Sequence, residues 1–319
     1  MNKNIAIILT VAAGAFLAGC NDNEDHVSEA SKTISVTASI GSMTRVAYDG
    51  DKSTFMAGDS LALFAWTGLS SEIPTEGLIV NNVVNKLQSE SGLWTPATQM
   101  LWDDMTTPHY FMAVAPARQV ASFTADPYTL DPSAEKYQQS DLLIATNVGG
   151  LVATNNPVAL NFKHAMAKLN VNLSFRNQWT EGNPPSQTQI TEAKIQSVVG
   201  TAKDHATIDY LNMLVTATGE NADVALNKKT NATWTTLMIP QDAFNTITIT
   251  LNGNDEWLGG NGTYVFTPAQ PIPLESGKIT TVNLIVGRDQ ITLDKNGITI
   301  ENWGNGVVVD NGEAQIPEY

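Results

Sequence analysis

The 319-residue chain holds a single cysteine, Cys20. No disulfide can form within it and no thiolate cluster can bind a metal, so core burial must hold the fold and reductant should not change its stability. Histidine is nearly as scarce. His26, His109, His164 and His205 are scattered, with none at the i, i+4 or His-x-x-His spacing of a metal site. Cations are few as well: 17 Lys and Arg against 32 Asp and Glu give a formal net charge of −15, and the one adjacent basic pair is Lys228-Lys229. Phosphate backbones need clustered cations, so nucleic acid is not an expected partner. Only 15% of residues are charged, which leaves Asn, Thr, Ser and Gln to keep the surface wet. There is no Gly-x-Ser-x-Gly elbow, no phosphate-cradling loop ahead of a helix, and no periodic repeat. Neither an enzyme's constellation nor a cofactor site is legible.

No apolar run is long enough to span a bilayer; the longest, residues 5–16, has the length of a secretory h-region and follows a positive Lys3. It ends in Leu17-Ala18-Gly19-Cys20, which resembles a bacterial lipobox, where the signal is removed before the cysteine and the thiol carries lipid. The alternative, a buried apolar Cys20, has little around it: the polar run 21–31 follows at once. Acyl chains contribute roughly 0.8 kcal/mol per buried CH₂, so more than one chain anchors a protein without a transmembrane helix. Removing the signal leaves about 300 residues, enough for two domains.

What is plentiful is short segments of Val, Ile, Thr and aromatics, punctuated by Gly, Pro, Asn and Asp, as in an all-β sandwich or barrel. Residues 33–40, TISVTASI, put Ile34, Val36, Ala38 and Ile40 on one face and Thr and Ser on the other. Further strands are expected at 60–66, 77–84, 109–115 and 141–146, then at 193–199, 206–211, 214–217, 234–239, 246–251, 263–266, 280–286 and 298–301. Residues 158–175 alternate at both ends around His164-Ala165-Met166-Ala167-Lys168, a bend or short helical turn. Gly149-Gly150 to Pro157 reads as a loop carrying the domain boundary, and Asn252-Gly253-Asn254-Asp255 and Asn261-Gly262 read as hairpin turns. An aromatic-flanked strand runs into proline in each half, at Pro116 and at Pro240. Duplication and coincidence both account for it.

Asp59, Asp103 and Asp104 suggest paired carboxylates, but each sits in turn sequence where Asp caps backbone donors. Seven tryptophans offer a glycan platform or a core. Trp179 and Trp257, in polar loop sequence, are the exposed candidates.

Several blocks resemble the fimbrillin family of lipoprotein-derived pilus subunits of anaerobic gut and oral bacteria. They are Thr44-Arg45-Val46, then Phe55-Met56-Ala57-Gly58-Asp59-Ser60-Leu61, Asp141-Leu142-Leu143, Phe162-Lys163-His164-Ala165-Met166-Ala167-Lys168-Leu169, Gly262-Thr263-Tyr264-Val265-Phe266 and Pro273-Leu274-Glu275-Ser276-Gly277-Lys278. The resemblance implies an all-β fold of two tandem transthyretin-like β-sandwich domains. The chain would divide into a lipoprotein signal peptide (1–19), a lipidated tether and removable first strand (20–45), an N-terminal sandwich (46–155) and a C-terminal sandwich with a donor tail (156–319). It further implies cutting by a trypsin-like protease between Arg45 and Val46, departure of TISVTASI, and refilling of its groove by another subunit's tail. In this chain the tail candidates are Val307, Val308, Val309 and Ile316. Without the resemblance Arg45 is an ordinary turn arginine. The implied partners are other fimbrial subunits, the outer membrane through lipid on Cys20, the protease, and a host or bacterial surface ligand, with the protein on the outer face of the outer membrane and then in the fimbrium. The rival expectation is a monomeric surface lipoprotein that binds glycan or another nutrient.

Overall fold

The structure, a computed structural model, describes residues 32–41, 54–89, 92–133, 139–175, 195–230, 232–244, 246–251, 262–286 and 291–303. These are all-β, with no helix among the described residues. The first sheet has seven strands. In chain order they are β1 (Val36–Ile40), β2 (Ser60–Trp66), β3 (Val80–Leu87), β4 (Trp94–Pro96), β5 (His109–Ala115), β7 (Leu143–Leu151) and β8 (Val158–His164), in the spatial order β1-β8-β7-β5-β2-β3-β4. All neighbours are antiparallel except β1, which runs parallel to β8.

The intervening strand β6 (Asp126–Thr129) leaves this sheet for the second half of the chain. There, β9 (Ala167–Phe175), β12 (Asn227–Lys228), β13 (Thr233–Met238), β18 (Lys278–Val286) and β19 (Ile291–Asn302) form one five-stranded sheet, ordered β12-β13-β9-β18-β19. β10 (Ile195–Asp209), β11 (Leu214–Ala225), β15 (Thr246–Leu251) and β16 (Gly262–Phe266) form another with β6, and β14 (Gln241–Phe244) pairs with β17 (Ile272–Leu274).

SLALFAW and HYFMAVA are near-continuous apolar runs because β2 and β5 are central and buried on both faces. Leu61, Leu63, Ala65, Phe111, Ala113 and Ala115 face one core, together with Ile34, Val36, Leu160 and Phe162. Ala62, Phe64, Trp66, Met112 and Val114 face a second core that continues through Leu169, Val171, Ile208, Ile249 and Leu284 of the other sheets. The two halves therefore share apolar contact instead of being joined by a free linker.

A polar joint reinforces this. Asp126, 1% exposed, accepts the Tyr210 hydroxyl at 2.6 Å and the Ala121 N–H at 2.7 Å, and lies 3.2 Å from the Arg118 guanidinium. That guanidinium also stacks over Tyr128, whose hydroxyl donates to the Ser140 carbonyl. Burial pushes the Tyr128 phenol up to about 12 and holds the Tyr210 phenol above its ordinary range, with the Asp126 contact adding to the latter.

Several findings depart from the sequence expectations. Residues 193–199 and 206–211 were expected as two strands; 195–199 and 206–209 are parts of one fifteen-residue β10, and the polar break becomes a register shift between Lys203 and His205. Gly149-Gly150, expected in a loop, lies in β7, where the register shifts opposite Tyr110. The boundary expected at 155–156 precedes β8, which still pairs within the first sheet; the chain changes sheets at Ala165-Met166. Strands β4, β6, β12, β14 and β17 are too short to carry a periodic signal. The polar turns expected at 252–255 and 261 lie outside the described residues.

Gly150 has φ +77, and a Cβ there would meet the Pro108 Cβ at 3.2 Å. A non-glycine residue in this region costs about 1–2 kcal/mol. Gly150→Ala is therefore expected to lower the unfolding free energy by at least about 1 kcal/mol, read as a lower urea midpoint with an unchanged m-value; an unchanged midpoint would show that β7 relaxes freely.

Candidate assembly site

The first strand completes the first core. Its parallel register runs from Val36↔Val158 to Ile40↔Phe162. Val158 N–H donates to the Ser35 carbonyl and Gly41 N–H to the Phe162 carbonyl, both at 2.8 Å. Upstream, Ile34 N–H donates to the Met100 carbonyl at 2.9 Å and Trp102 N–H to the Lys32 carbonyl at 3.0 Å. Ile34 and Val36 are 3% and 4% exposed, among Trp94, Met100, Trp102 and Phe162. Ala38 and Ile40 are half-buried against the same cluster. On the wet face Ser39 Oγ donates to Asn161 Oδ1 at 2.7 Å. The alternation expected for TISVTASI is observed from Thr33 to Thr37, on an outermost strand of the sheet, and Ala38, Ser39 and Ile40 are all half-buried.

Two of the sequence blocks close this core. Phe55 stands edge-on to Trp94 at 5.1 Å and to Phe162 at 5.3 Å. The Met56 N–H donates to Asp59 Oδ2 and the Asp59 N–H to the Met56 carbonyl, both at 2.9 Å, so Asp59 shapes a turn. Asp104 is likewise a turn cap. Hydrogen bonds from the Thr107 hydroxyl and N–H, and from the Thr106 N–H, hold its carboxyl well below the usual carboxylate range. His109 Nε2 accepts the Asp103 N–H at 3.0 Å while Nδ1 meets the Thr107 carbonyl at 2.8 Å.

The central block and the late block meet at the sheet change. Ser276 Oγ donates to the carbonyls of His164 (3.2 Å) and Ala165 (2.9 Å), and the Gly277 N–H donates to the Met166 carbonyl at 2.9 Å. Gly277 has φ +69, and a Cβ would stand 3.3 Å from the His164 carbonyl, so glycine is required. His164 Nδ1 is 2.9 Å from Asp141 Oδ1, and its ring stacks on Trp303 at 3.9 Å. Lys168, 2% exposed, holds its ammonium over the same Trp303 ring, 5.5 Å from the centroid. Burial, and then the charge of Lys229, pull its ammonium down to about 7. HAMAK is a bend between two strands, held by its neighbours, and no helical turn forms.

The same corner borders a cavity of about 530 Å³ lined by Gly41, Lys163, His164 and Trp303. The end of β1 and the end of β19 thus reach one cleft. Cys20, Arg45, Val46, Val307, Val308, Val309 and Ile316 lie outside the described residues. So do Trp179 and Trp257, while Trp66, Trp94, Trp102 and Trp234 are core residues. Sequence reasoning did not single out Asp141–His164, Lys168 or Trp303 as one cluster, because its members are far apart in the chain. The presence of Asp141, His164 and Lys168 in the blocks that resemble the family was the available signal.

What the fold and this groove define is a structural β-sandwich protein whose first sheet is completed by an N-terminal strand. The chain belongs to the fimbrillin-like family, whose profile matches residues 44–303. Its members are structural fimbrial proteins of the cell surface, and the chain is not an enzyme. No curated protein matches the sequence. Among solved structures the chain is similar to a candidate cell adhesion protein from Bacteroides uniformis, with 18% identity, 85% of this chain and 98% of that one covered, and a TM-score of 0.61. A candidate cell adhesion protein from Bacteroides ovatus gives 16%, 88%, 99% and 0.62, and a fimbrial protein from Bacteroides vulgatus 14%, 84%, 99% and 0.52. At these identities the likeness is one of fold.

Two outcomes test this geometry. Ile34→Ala should cost about 2–5 kcal/mol in urea unfolding, as a buried large-to-small change does, if β1 is an integral part of the first core; a loss below 1 kcal/mol would place β1 outside it. For Lys168 the folded value of about 7 lies below the ordinary 10.5. Between those two pH values the unfolded chain holds a proton that the native state lacks, so stability rises with pH there. Lys168→Met should flatten the rise between pH 7 and 10 and raise stability at pH 7. An unchanged slope would refute the buried-ammonium account.

Proposed function

We propose that the protein is a subunit of a surface fimbrium, exported as a lipoprotein on Cys20, processed between Arg45 and Val46, and polymerised by strand exchange. The observation that carries this reading is β1 itself. It is an outermost strand that, with Ile34 just before it, sets two buried and two half-buried side chains on one face, and Gly41, which follows it, stands four residues before Arg45. Full burial of an aliphatic side chain contributes about 1.5–3 kcal/mol. Departure of β1 would expose the pockets of Ile34 and Val36, lined by Trp94, Met100, Trp102 and Phe162, together with the unpaired backbone of β8. An emptied groove of this kind is a template for another strand: backbone hydrogen bonds supply affinity and alternate side chains set register.

The strand that enters is the tail of another subunit, with Val307, Val308, Val309 and Ile316 as the residues that fill the pockets. Other fimbrial subunits are then the partners, a trypsin-like protease the activator, and lipid on Cys20 the hold on the outer membrane before processing. Two transthyretin-like sandwich domains, as the resemblance implies, suit a chain whose halves, apart from β6, build separate sheets. Structural relatives described as cell adhesion proteins support adhesion as the purpose of the assembled fibre.

N-terminal sequencing of protein sheared from the cell surface should begin at Val46, and trypsin treatment of the purified precursor should yield SDS-resistant ladders. Arg45→Ala should leave a lipidated precursor that forms no ladder. Wild-type-like polymers from that variant would overturn the scheme.

A further inference from the structure

Away from the β1 groove, a strand defect and three connections enclose a second cavity of about 510 Å³, within the range of small-ligand sites. It lies between the β2–β3 connection, β3, the β5–β6 connection and the β10–β11 turn. Phe64 and Ile73 form its apolar floor, and the half-buried Phe123 stands edge-on to Phe64 at 5.3 Å. Its walls carry the carboxamides of Asn81, Asn82, Gln119 and Asn212 and the carboxylates of Glu72 and Asp209. Among the described residues no Lys, Arg or His lines it.

Asn82 is the unusual member. Leu63 pairs with Val83 but Ala65 pairs with Val80, so Phe64 on β2 faces both Asn81 and Asn82, a β-bulge. Asn82 takes φ +53, in the left-handed region. Its Nδ2 donates to Gln119 Oε1 at 2.6 Å, while its Oδ1 is buried without a hydrogen-bond partner. A left-handed backbone and an unpaired acceptor at one residue are both unfavourable in the free protein. Such features persist where the surrounding structure enforces them, and they concentrate at ligand sites. A hydroxyl donor beside Asn82 in the cleft would satisfy that acceptor while Nδ2 keeps its bond to Gln119.

We propose that this cleft binds a neutral saccharide. A sugar supplies hydroxyl donors for the Asn82 carbonyl and the two carboxylates, and hydroxyl acceptors for the carboxamide N–H groups. It also has an apolar C–H face that fits against Phe123. Glu72 and Asp209, with no facing cation, repel sialylated, sulfated or phosphorylated ligands. Asp209 is already engaged by Asn212, through the backbone N–H at 3.0 Å and Nδ2 at 2.9 Å, so the pair offers an oriented polar edge and not a free charge for a polyamine. Phe64 is on the face of β2 opposite Leu61 and Leu63, which belong to the core that β1 borders, so the cleft lies on the other side of the sheet from the groove. The proposal is independent of cleavage at Arg45.

The test is isothermal titration of the purified full chain with mannotriose, maltotriose and lacto-N-tetraose, with 3′-sialyllactose and spermine as charged controls. At least one neutral saccharide is expected to bind saturably. Asn82→Gly keeps the positive φ without strain but deletes the amide, so it should weaken that binding by about tenfold or more without lowering the urea midpoint. Gln119→Ala, on an exposed side chain, should weaken it likewise and gives the reading even if the glycine variant folds poorly. Absence of heat with all three neutral saccharides, unaltered binding in both variants, or stronger binding of either charged control would each overturn the proposal.

Discussion

Strands β2 and β5 have no wet face, and the rest of the molecule follows from that requirement. An apolar sheet buried on both sides needs two covers. One cover is the core that Ile34, Val36, Trp94 and Phe162 build with β1 at its margin; the other is the core shared with the second half of the chain. The halves cannot part without exposing Phe64, Trp66 and Met112, and β1 cannot leave without uncovering part of the first core around Phe162. The same two strands thus make one interface of the protein permanent and leave the other dependent on a five-residue strand.

The permanent side is specified by polar contacts set within apolar ones. Asp126 is buried beside Tyr210 and Arg118, and β6 crosses to pair with β10 through Thr129, Tyr128, Pro127 and Asp126. A buried carboxylate is costly unless its donors are in place, so this group adds more to the uniqueness of the arrangement than to its net stability. The sheet change at Ala165-Met166 is specified in the same way, by Ser276 and Gly277 reaching the carbonyls of His164, Ala165 and Met166.

Much of the fold was legible because it depends on local pattern. Residues 60–66, 109–115 and 246–251 were read with the observed bounds, since each is a bounded run of β-formers. TISVTASI was legible as an amphipathic strand because its period of two matches one wet and one dry face. Gly149-Gly150 was read as a loop because paired glycines usually mark one, yet here the strand continues and glycine meets the demand of a register shift. β10 was split in the reading because Lys203, Asp204 and His205 interrupt the apolar pattern, while pairing to β6, β11 and β15 carries the strand through. The Asp126–Tyr210 and Asp141–His164 contacts join residues 84 and 23 positions apart, beyond the reach of any spacing rule. The expectation at Cys20 rests on the lipobox and that at Arg45 on the family resemblance, and both positions lie outside the described residues.

The sheet change also has a mechanical meaning. β8 passes into β9 across only Ala165 and Met166, and each strand is flanked on both edges, β8 by β1 and β7, β9 by β13 and β18. A pull along the chain at this point finds no slack to draw out. It loads rows of inter-strand hydrogen bonds together, in shear, instead of peeling them one at a time. The shortness of the crossover makes the two sheets behave under tension as one continuous tie.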